Sequence, residues 1–297
     1  MPEPGQPVVR VSPPAVAIET AFLTSGLPAD RRQEAAARVT EAVRARGVAP
    51  AFIGVIDGRP TIGLEPDELQ LLGESGLKLS KRDLAAAGAR GHTGGATVSA
   101  AIFLARRGGL SVGATGGIGG VHRAASPVDV SADLFELAHT PIVLVCSGAK
   151  AILDLQATVE LLETLGVTIL GLRTDEFPAF WTASSGIRVG SSVEDVEEAA
   201  RIWVHSRALG AEGALLLCVP PPEGFALPAA DSEAAVSRSL AELAGSGVSG
   251  PAVTPFLLAR IAHYTEGRSV EANLALLENN AAIAAELARF LQTNSAP

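Results

Sequence analysis

Aromatic side chains are scarce in this 297-residue chain: nine Phe, two Trp and one Tyr, 4% of the residues. That scarcity excludes the Tyr-rich surface of a recognition module. Cysteine is nearly absent. Cys146 and Cys218 both sit inside apolar runs, so buried thiols are expected rather than a disulfide framework or a metal pair, and a reducing, cytoplasmic setting fits. Positive charge is in deficit, with 23 Lys and Arg against 32 Asp and Glu, a formal charge of −9. This leaves no basic footprint for a nucleic-acid polymer, and any phosphate bound should be small and local. No apolar stretch approaches membrane-spanning length. The N-terminus lacks a basic segment leading into an apolar core, so neither membrane insertion nor secretion is expected.

What is present is aliphatic. Hydrophobic residues make up 47% of the chain and charged ones 19%, which suits helices packed tightly on a parallel sheet. Pro2, Pro4, Pro7, Pro13 and Pro14 mark residues 1–14 as a flexible lead-in, and residues 15–297 read as a single large α/β domain. Apolar runs predict strands over 16–23, 51–56, 110–115, 141–146, 167–172 and 214–219. Helical patterns are predicted over 31–46, 80–89, 95–107, 131–138, 151–165 and 193–209. Strand and helix alternate, so the expected fold is a three-layer α/β/α unit with a mostly parallel central sheet. Helical patterns over 232–244, 255–264 and 269–292 then form a closing C-terminal layer, which could stand as a small subdomain.

Several familiar motifs fail. Gly113-Ala-Thr-Gly116-Gly117-Ile-Gly119-Gly120 lacks dinucleotide-binding spacing, because His122 stands where the last glycine belongs. Ser147-Gly-Ala-Lys150 lacks the upstream glycine of a P-loop, and Ala151 replaces its Ser or Thr. The five histidines are too scattered for a zinc site by spacing.

Lys150 is the first candidate for chemistry. It follows the apolar run 141–146 through Ser147 and Gly148, which puts it at the carboxyl end of a central strand, where open α/β sheets bind ligands. A lysine desolvated there is the amine that forms a Schiff base; the alternative is a lysine snorkelling to solvent from a helix start. Gly116 to Arg123 offers four glycines with His122 and Arg123, either a phosphate cradle or a tight turn. Lys78 and Arg82 belong to a second cationic cluster, although Ser80 and Asp83 also make a capping box there. Asp129 and Asp133 flank Ser131, a helix N-cap with an acidic first turn, or a metal or acid/base pair. Glu19 is a carboxylate in a strand-like apolar segment and must be paired, at an edge, or shifted for general acid/base work. Asn273 and Asn280 share one face of the last helix, more in keeping with buried structural bonds or an oligomer contact than with a ligand.

Together these segments resemble the pseudouridine-5′-phosphate glycosidase family, also called indigoidine-A-like. The resemblance runs in order through Ile18-Glu-Thr, Ala51-Phe-Ile-Gly-Val-Ile-Asp-Gly58, Lys78-Leu-Ser-Lys-Arg-Asp-Leu84, Ala114-Thr-Gly-Gly-Ile-Gly-Gly-Val-His-Arg123, Asp129-Val-Ser-Ala-Asp-Leu134, Cys146-Ser-Gly-Ala-Lys150, Thr174-Asp-Glu-Phe-Pro-Ala-Phe180, Thr254-Pro-Phe-Leu-Leu-Ala-Arg-Ile261 and Asn279-Asn-Ala281. It implies an α/β/α fold, usually a homotrimer. The implied enzyme makes or breaks the carbon–carbon bond between C1′ of ribose 5-phosphate and a base, with a divalent metal, typically Mn2+. Lys150 would then be the Schiff-base nucleophile and Glu19 the proton donor or acceptor at the aglycone. Asp129 would hold the metal through its waters, and Asp133 would assist the ring oxygen. Lys78 and His122 would grip the phosphate within a cationic pocket that includes Arg82 and Arg123, while Val98, Ser131, Ala132 and Asn273 would contact substrate.

Departures from the family pattern cluster away from the phosphate side. Ser25 replaces a usual His, Asp30 and Arg32 a Pro and an Asn, Gly94-Gly-Ala-Thr-Val-Ser99 the usual Asn-Gly-Ala-Thr-Thr-Val, and Val219 an Asn. If these surround the base, the ribose chemistry is kept and the aglycone pocket changed, since specificity for a polar edge rests on matched hydrogen bonds. The expectation is therefore a C-glycosynthase of natural-product biosynthesis. The alternative is a salvage pseudouridine-5′-phosphate glycosidase, and from another class a non-catalytic phosphosugar-binding protein, which would have no reason to keep Lys150 with Glu19.

Overall fold

The computed structural model describes residues 5–123, 129–248 and 250–294. The chain runs through β1 (Val8–Val9), β2 (Ala15–Ile18), α1 (Arg32–Arg44), β3 (Ala49–Ile56), β4 (Arg59–Ile62), α2 (Pro66–Ser75), β5 (Lys78–Leu79), α3 (Leu84–Arg90), β6 (Gly94–Ala96), α4 (Val98–Arg107) and β7 (Val112–Ala114). It continues with β8 (Val121–His122), α5 (Ala132–His139), β9 (Val143–Cys146), β10 (Leu153–Asp154), α6 (Leu155–Thr164), β11 (Thr168–Leu172), β12 (Ser191–Val193), α7 (Val196–Ala208), β13 (Leu215–Cys218), α8 (Ala229–Ser246), α9 (Val253–Tyr264) and α10 (Arg268–Asn294).

Seven strands in the order β3-β2-β7-β9-β13-β11-β12 pair in parallel. The middle ones, Val-Leu-Val-Cys in β9 and Leu-Leu-Leu-Cys in β13, are buried along their whole length, the pattern of a sheet covered on both faces. α10 lies across one face against β2, β7 and β9 and also packs on α1 and α7, whereas α4 covers β2 and β3 from the other side with α5 beside it. Alanines at 272, 275, 281, 284, 285 and 288 let the 27-residue α10 approach the sheet closely. Of the C-terminal helices, α10 thus covers the main sheet, while α8 packs on α9 and α9 on α10.

Four details depart from the sequence reading. Residues 8–10 are not loose: β1 pairs with Thr61 and Ile62, the Arg10 amide donates to the Ile62 carbonyl, and the Arg10 guanidinium bridges to Glu68 at 2.6 Å. The first expected long strand stops at Ile18 because Thr20 turns inward. Its hydroxyl donates to the Ile53 carbonyl and accepts from the Ala96 amide, and the chain then coils into a π-helical turn over Phe22–Gly26. Residues 94–96 form strand β6 rather than a helix start, because Gly94 and Gly95 lie so close to neighbouring backbone that a Cβ would press on the Leu77 and Thr20 carbonyls. Helix α2 was not expected, although Pro66 at its first turn, the Glu65–Glu68 capping box and left-handed Gly76 at its end are all sequence signals.

Chain order fixes where a ligand goes. From β2 the chain moves to β3 on one side, and from β7 it moves to β9 on the other, so the direction of winding reverses between adjacent strands β2 and β7. The crevice at the carboxyl ends of such a pair is the natural binding place of an open α/β sheet. Glu19 follows β2, Thr115 follows β7, and Ser147 to Lys150 follows β9.

The turn into Lys150 depends on Gly148, which has φ +73° and would bury a Cβ in the Pro178 carbonyl oxygen. Gly166, at φ +71°, faces open space. Thermal melting should separate them: Gly148→Ala is expected to cost about 3 kcal/mol or more, a Tm fall of about 6 °C, and Gly166→Ala only about 1 kcal/mol. Equal Tm losses would show that the Pro178 contact does not constrain the turn.

Candidate active site

A cavity of about 840 Å3 opens at the carboxyl ends of β2, β7 and β9, and its wall carries Glu19, Lys78, His122, Asp129, Asp133 and Lys150. Val98, Ser131, Ala132 and Asn273 also line it. Most of the sequence candidates therefore meet in one cleft, from segments as distant in the chain as Glu19 and Asn273.

Glu19 leaves β2 onto the cavity wall. One carboxyl oxygen accepts from the Ala21 amide at 2.7 Å and the other from the Thr115 hydroxyl at 3.3 Å. Burial raises its pKa above the ordinary carboxylate value, and nearby Asp133 adds to the rise. Lys150, the Ala21 amide and Thr115 oppose it without cancelling it. A carboxyl group shifted in this direction is better placed to hold a proton for delivery. Lys78 is half-buried, and burial together with the charge of Lys150 lowers its basicity, against the opposing pull of Asp133 and Glu19. Two lysines and an acid that feel one another's charge thus converge on one space.

Lys150 is held through its backbone. Its amide donates to the Ile118 carbonyl at 3.1 Å, its carbonyl accepts from the Leu153 amide, and Ser147 just before it donates to the Gly116 carbonyl at 2.8 Å. Phe180 locks the same turn from outside. It sits at φ +62°, costly for a bulky residue, with its amide on the Ser147 carbonyl at 3.0 Å.

The glycine run proves to be a packing device. A side chain at Gly116 or Gly117 would strike the Phe180 ring, one at Gly119 the Ser131 hydroxyl, and one at Gly120 the Thr158 hydroxyl. Nor are all its amides open to an anion: Gly119 donates to Asp133, Ile118 to the Gly148 carbonyl and Val121 to Thr158. Of the cationic residues expected there, Arg123 is turned away. Its guanidinium donates to the Leu153 and Ala151 carbonyls, pairs with Glu233 at 2.8 Å and lines a separate cavity of about 460 Å3. It splints the Lys150 segment and stands apart from the residues that line the cleft. Arg82 stays at the rim, its side chain 87% exposed and 3.6 Å from Asp83. His122, on β8 paired with β10, keeps its ring on the cavity wall 3.9 Å from Asp129.

Asp133 is bound at both oxygens, one by the Ser99 amide at the start of α4 and one by the Gly119 amide, each at 2.9 Å. Its own amide donates to the Ser131 hydroxyl in the N-cap of α5. With both oxygens engaged, it braces three wall segments and is less suited than Glu19 to deliver a proton. Asn273 reaches the Gly26 carbonyl at 3.5 Å on the far side of the cleft. That side is apolar, made by Phe22, Phe180, Val253, Leu258 and Leu277. These wall residues, and Thr115 behind Glu19, went unnoticed in the sequence; only the place of Thr115 at the end of a strand before the glycine run could have marked it.

No cluster of three metal-ligating side chains exists among the described residues. The donor set fits only a hard divalent ion that keeps most of its waters, with the two-thirds exposed carboxylate of Asp129 as its protein ligand.

Of the departures from the family pattern, only Ser25, Val98 and Ser99 reach the cavity. Arg32 instead binds the Thr24, Leu27 and Gly73 carbonyls, and Gly94 and Gly95 are locked in the sheet. The inferred remodelling of the aglycone pocket therefore shrinks to a few side chains.

A parallel sheet whose winding reverses over a lysine–carboxyl cleft has the architecture of an α/β enzyme. The family model described as indigoidine synthase A like protein matches residues 6–290. A pseudouridine-5′-phosphate glycosidase of Chloroflexus aurantiacus is 50% identical over 280 residues, 92% of each chain. The crystal structure of an indigoidine synthase A-like protein from Thermotoga maritima superposes with a TM-score of 0.89 at 38% identity, covering 95% of this chain and 96% of that one. That of the prealnumycin C-glycosynthase AlnA in complex with ribulose 5-phosphate gives 0.87 at 34%, covering 96% and 97%. The chain belongs to the indigoidine synthase A-like family and is an enzyme of it. The glycosidase is the nearer of the two named enzymes, which corrects the weight given above to the synthetic direction. Among the described residues, no helix is long and apolar enough to cross a membrane.

The raised pKa of Glu19 has a consequence for stability. Its folded-state value exceeds the unfolded one, so the stability present at low pH is lost as pH rises through the folded value. Glu19→Gln should therefore melt above the wild type at pH 7–8 and together with it near pH 4; a wild type equal to the variant at both would show that Glu19 is not desolvated.

Proposed function

We propose that the protein cleaves pseudouridine 5′-phosphate to uracil and ribose 5-phosphate through an imine on Lys150. The observation that carries this reading is the meeting of Lys150 in one cleft with Glu19, a partly buried carboxyl of raised pKa, together with 50% identity to a named glycosidase. A carbon–carbon glycosidic bond has no oxygen to protonate at the leaving carbon, so two-carboxylate hydrolysis is a poor route. Attack of the Lys150 amine on C1′ opens the sugar and releases the ring oxygen as a hydroxyl. Protonation of the uracil carbon by Glu19 then lets the nitrogen lone pair expel it, breaking the C1′–carbon bond and leaving an iminium. Water adds to the iminium, the amine departs, and ribose 5-phosphate is released.

Burial and the charge of Lys150 lower the basicity of Lys78, so the two side chains share one space. Lys78 and His122 line the wall for the phosphate, whose binding orients the reacting carbon at a distance. The braced Asp133, with Val98, Ser131 and Ala132, shapes the sugar wall, and Asn273 faces the base. A divalent ion such as Mn2+, held through water by Asp129, would supply charge neutralisation at the phosphosugar. The reverse, C-glycosynthase direction is favoured by one observation, the apolar far wall with Ser25 as its polar member. It uses the same residues in reverse.

Borohydride added with ribose 5-phosphate should fix a covalent adduct on Lys150 in the wild type and none in Lys150→Ala. An adduct elsewhere removes the imine assignment. Cleavage of pseudouridine 5′-phosphate should fall at least about a thousandfold in Lys150→Ala and about a hundredfold or more in Glu19→Gln. Wild-type enzyme that traps ribose 5-phosphate but never releases uracil would favour the synthetic reading. Chelation should lower activity, with Asp129→Asn insensitive to added Mn2+; full activity after exhaustive chelation rules the ion out.

A further inference from the structure

Asn280 has no place in the chemistry above, yet it is fully buried on α10, two turns along from Asn273 and about 10 Å deeper. Its side-chain amide nitrogen lies 2.9 Å from the Thr115 carbonyl, 3.4 Å from the Gly116 carbonyl and 3.1 Å from the Ser147 hydroxyl. The same hydroxyl is 3.4 Å from its amide oxygen. Thr115 and Ser147 stand at the carboxyl ends of β7 and β9, adjacent strands in the sheet. Each leads directly to a reacting group: the Thr115 hydroxyl holds the Glu19 carboxyl, and Ser147 begins the turn that ends in Lys150.

We propose that Asn280 is a positioning residue that ties the Thr115 carbonyl to the Ser147 hydroxyl and so fixes the placement of Lys150 relative to Glu19. This rests on the imine reading of the site.

The physical case is one of supply. Where β7 ends, the Thr115 amide still bonds across to the Val145 carbonyl, but the Thr115 carbonyl is taken by Asn280. A buried carbonyl without a partner is costly, so the strand ends would part or rotate if the donor were lost. Rotation of Thr115 carries its hydroxyl off Glu19, and release of Ser147 loosens the turn under Lys150. A reacting pair displaced by about 1 Å loses on the order of a hundredfold in rate while substrate still binds. An apolar residue at 280 could fill the space but could not donate, and a purely structural amide would have no reason to bridge the two strand ends that carry the reacting groups.

The test uses Asn280→Asp, which keeps the shape and replaces the donor with an acceptor. Ser147→Ala, which removes one arm and leaves the bond to Thr115, is the second variant in case the buried carboxylate prevents folding. For folded protein, Asn280→Asp should lower kcat for pseudouridine 5′-phosphate about 10- to 100-fold with KM within about threefold. It should slow borohydride trapping by a similar factor and move the pH-rate limb carried by Glu19. Ser147→Ala should show the same pattern at about 3- to 10-fold. Wild-type kcat, KM and trapping rate in either folded variant overturns the proposal, as does a loss of kcat and KM in step with lost folded protein. Failure of the wild type to trap on Lys150 instead overturns the imine reading, so the two failures are distinct.

Discussion

The site depends on one constraint, the parallel pairing of β2, β7 and β9, which delivers three chain segments to a single edge with their carboxyl ends together. Parallel strands need long crossovers, and those crossovers supply both the helices that bury the sheet and the loops that carry Glu19, the glycine run and Lys150. Because winding reverses between β2 and β7, nothing crosses above that pair, and the crevice stays open to a ligand. The desolvation that shifts Glu19 follows from the same arrangement, since the end of β2 lies among buried neighbours.

Around that edge, close approach replaces flexible contact. Gly148, Phe180 and the glycine run interlock so that the Lys150 turn rests on backbone of two other segments. The glycines read in the sequence as an anion cradle are the concave half of this joint, with Phe180, Ser131 and Thr158 as the convex half. Rigid backing of this kind suits chemistry in which a covalent intermediate must stay aligned with a proton donor through more than one step.

The sequence made the central strands legible because 141–146 and 214–219 are continuous apolar runs, and made Lys150 legible because a glycine turn follows one of them. Strand ends were blurred wherever a polar residue turned inward, as Thr20 does, since periodicity registers hydrophobicity and not hydrogen-bond direction. Gly94 and Gly95 misled because a glycine forced by backbone contact reads as a helix boundary. Arg123 misled more deeply: a cation beside glycines and a histidine has the composition of a phosphate site, and only three-dimensional placement shows its guanidinium spent on two carbonyls and Glu233. Thr115 and Asn280 act through backbone carbonyls, which leave no signature in residue type.

The pinned N-terminal strand bears on a different hazard. A wide sheet carries two open edges, each a row of unpaired amides and carbonyls that can recruit another chain. Here the sheet ends on β1, two residues long and followed by the Arg10–Glu68 ion pair, and on β12, three residues with two exposed serines. Both margins are too short to template further pairing. The segment whose prolines suggest a loose lead-in is therefore the selvedge of the sheet, the finished border that keeps its hydrogen-bonding fabric from being extended by a neighbour.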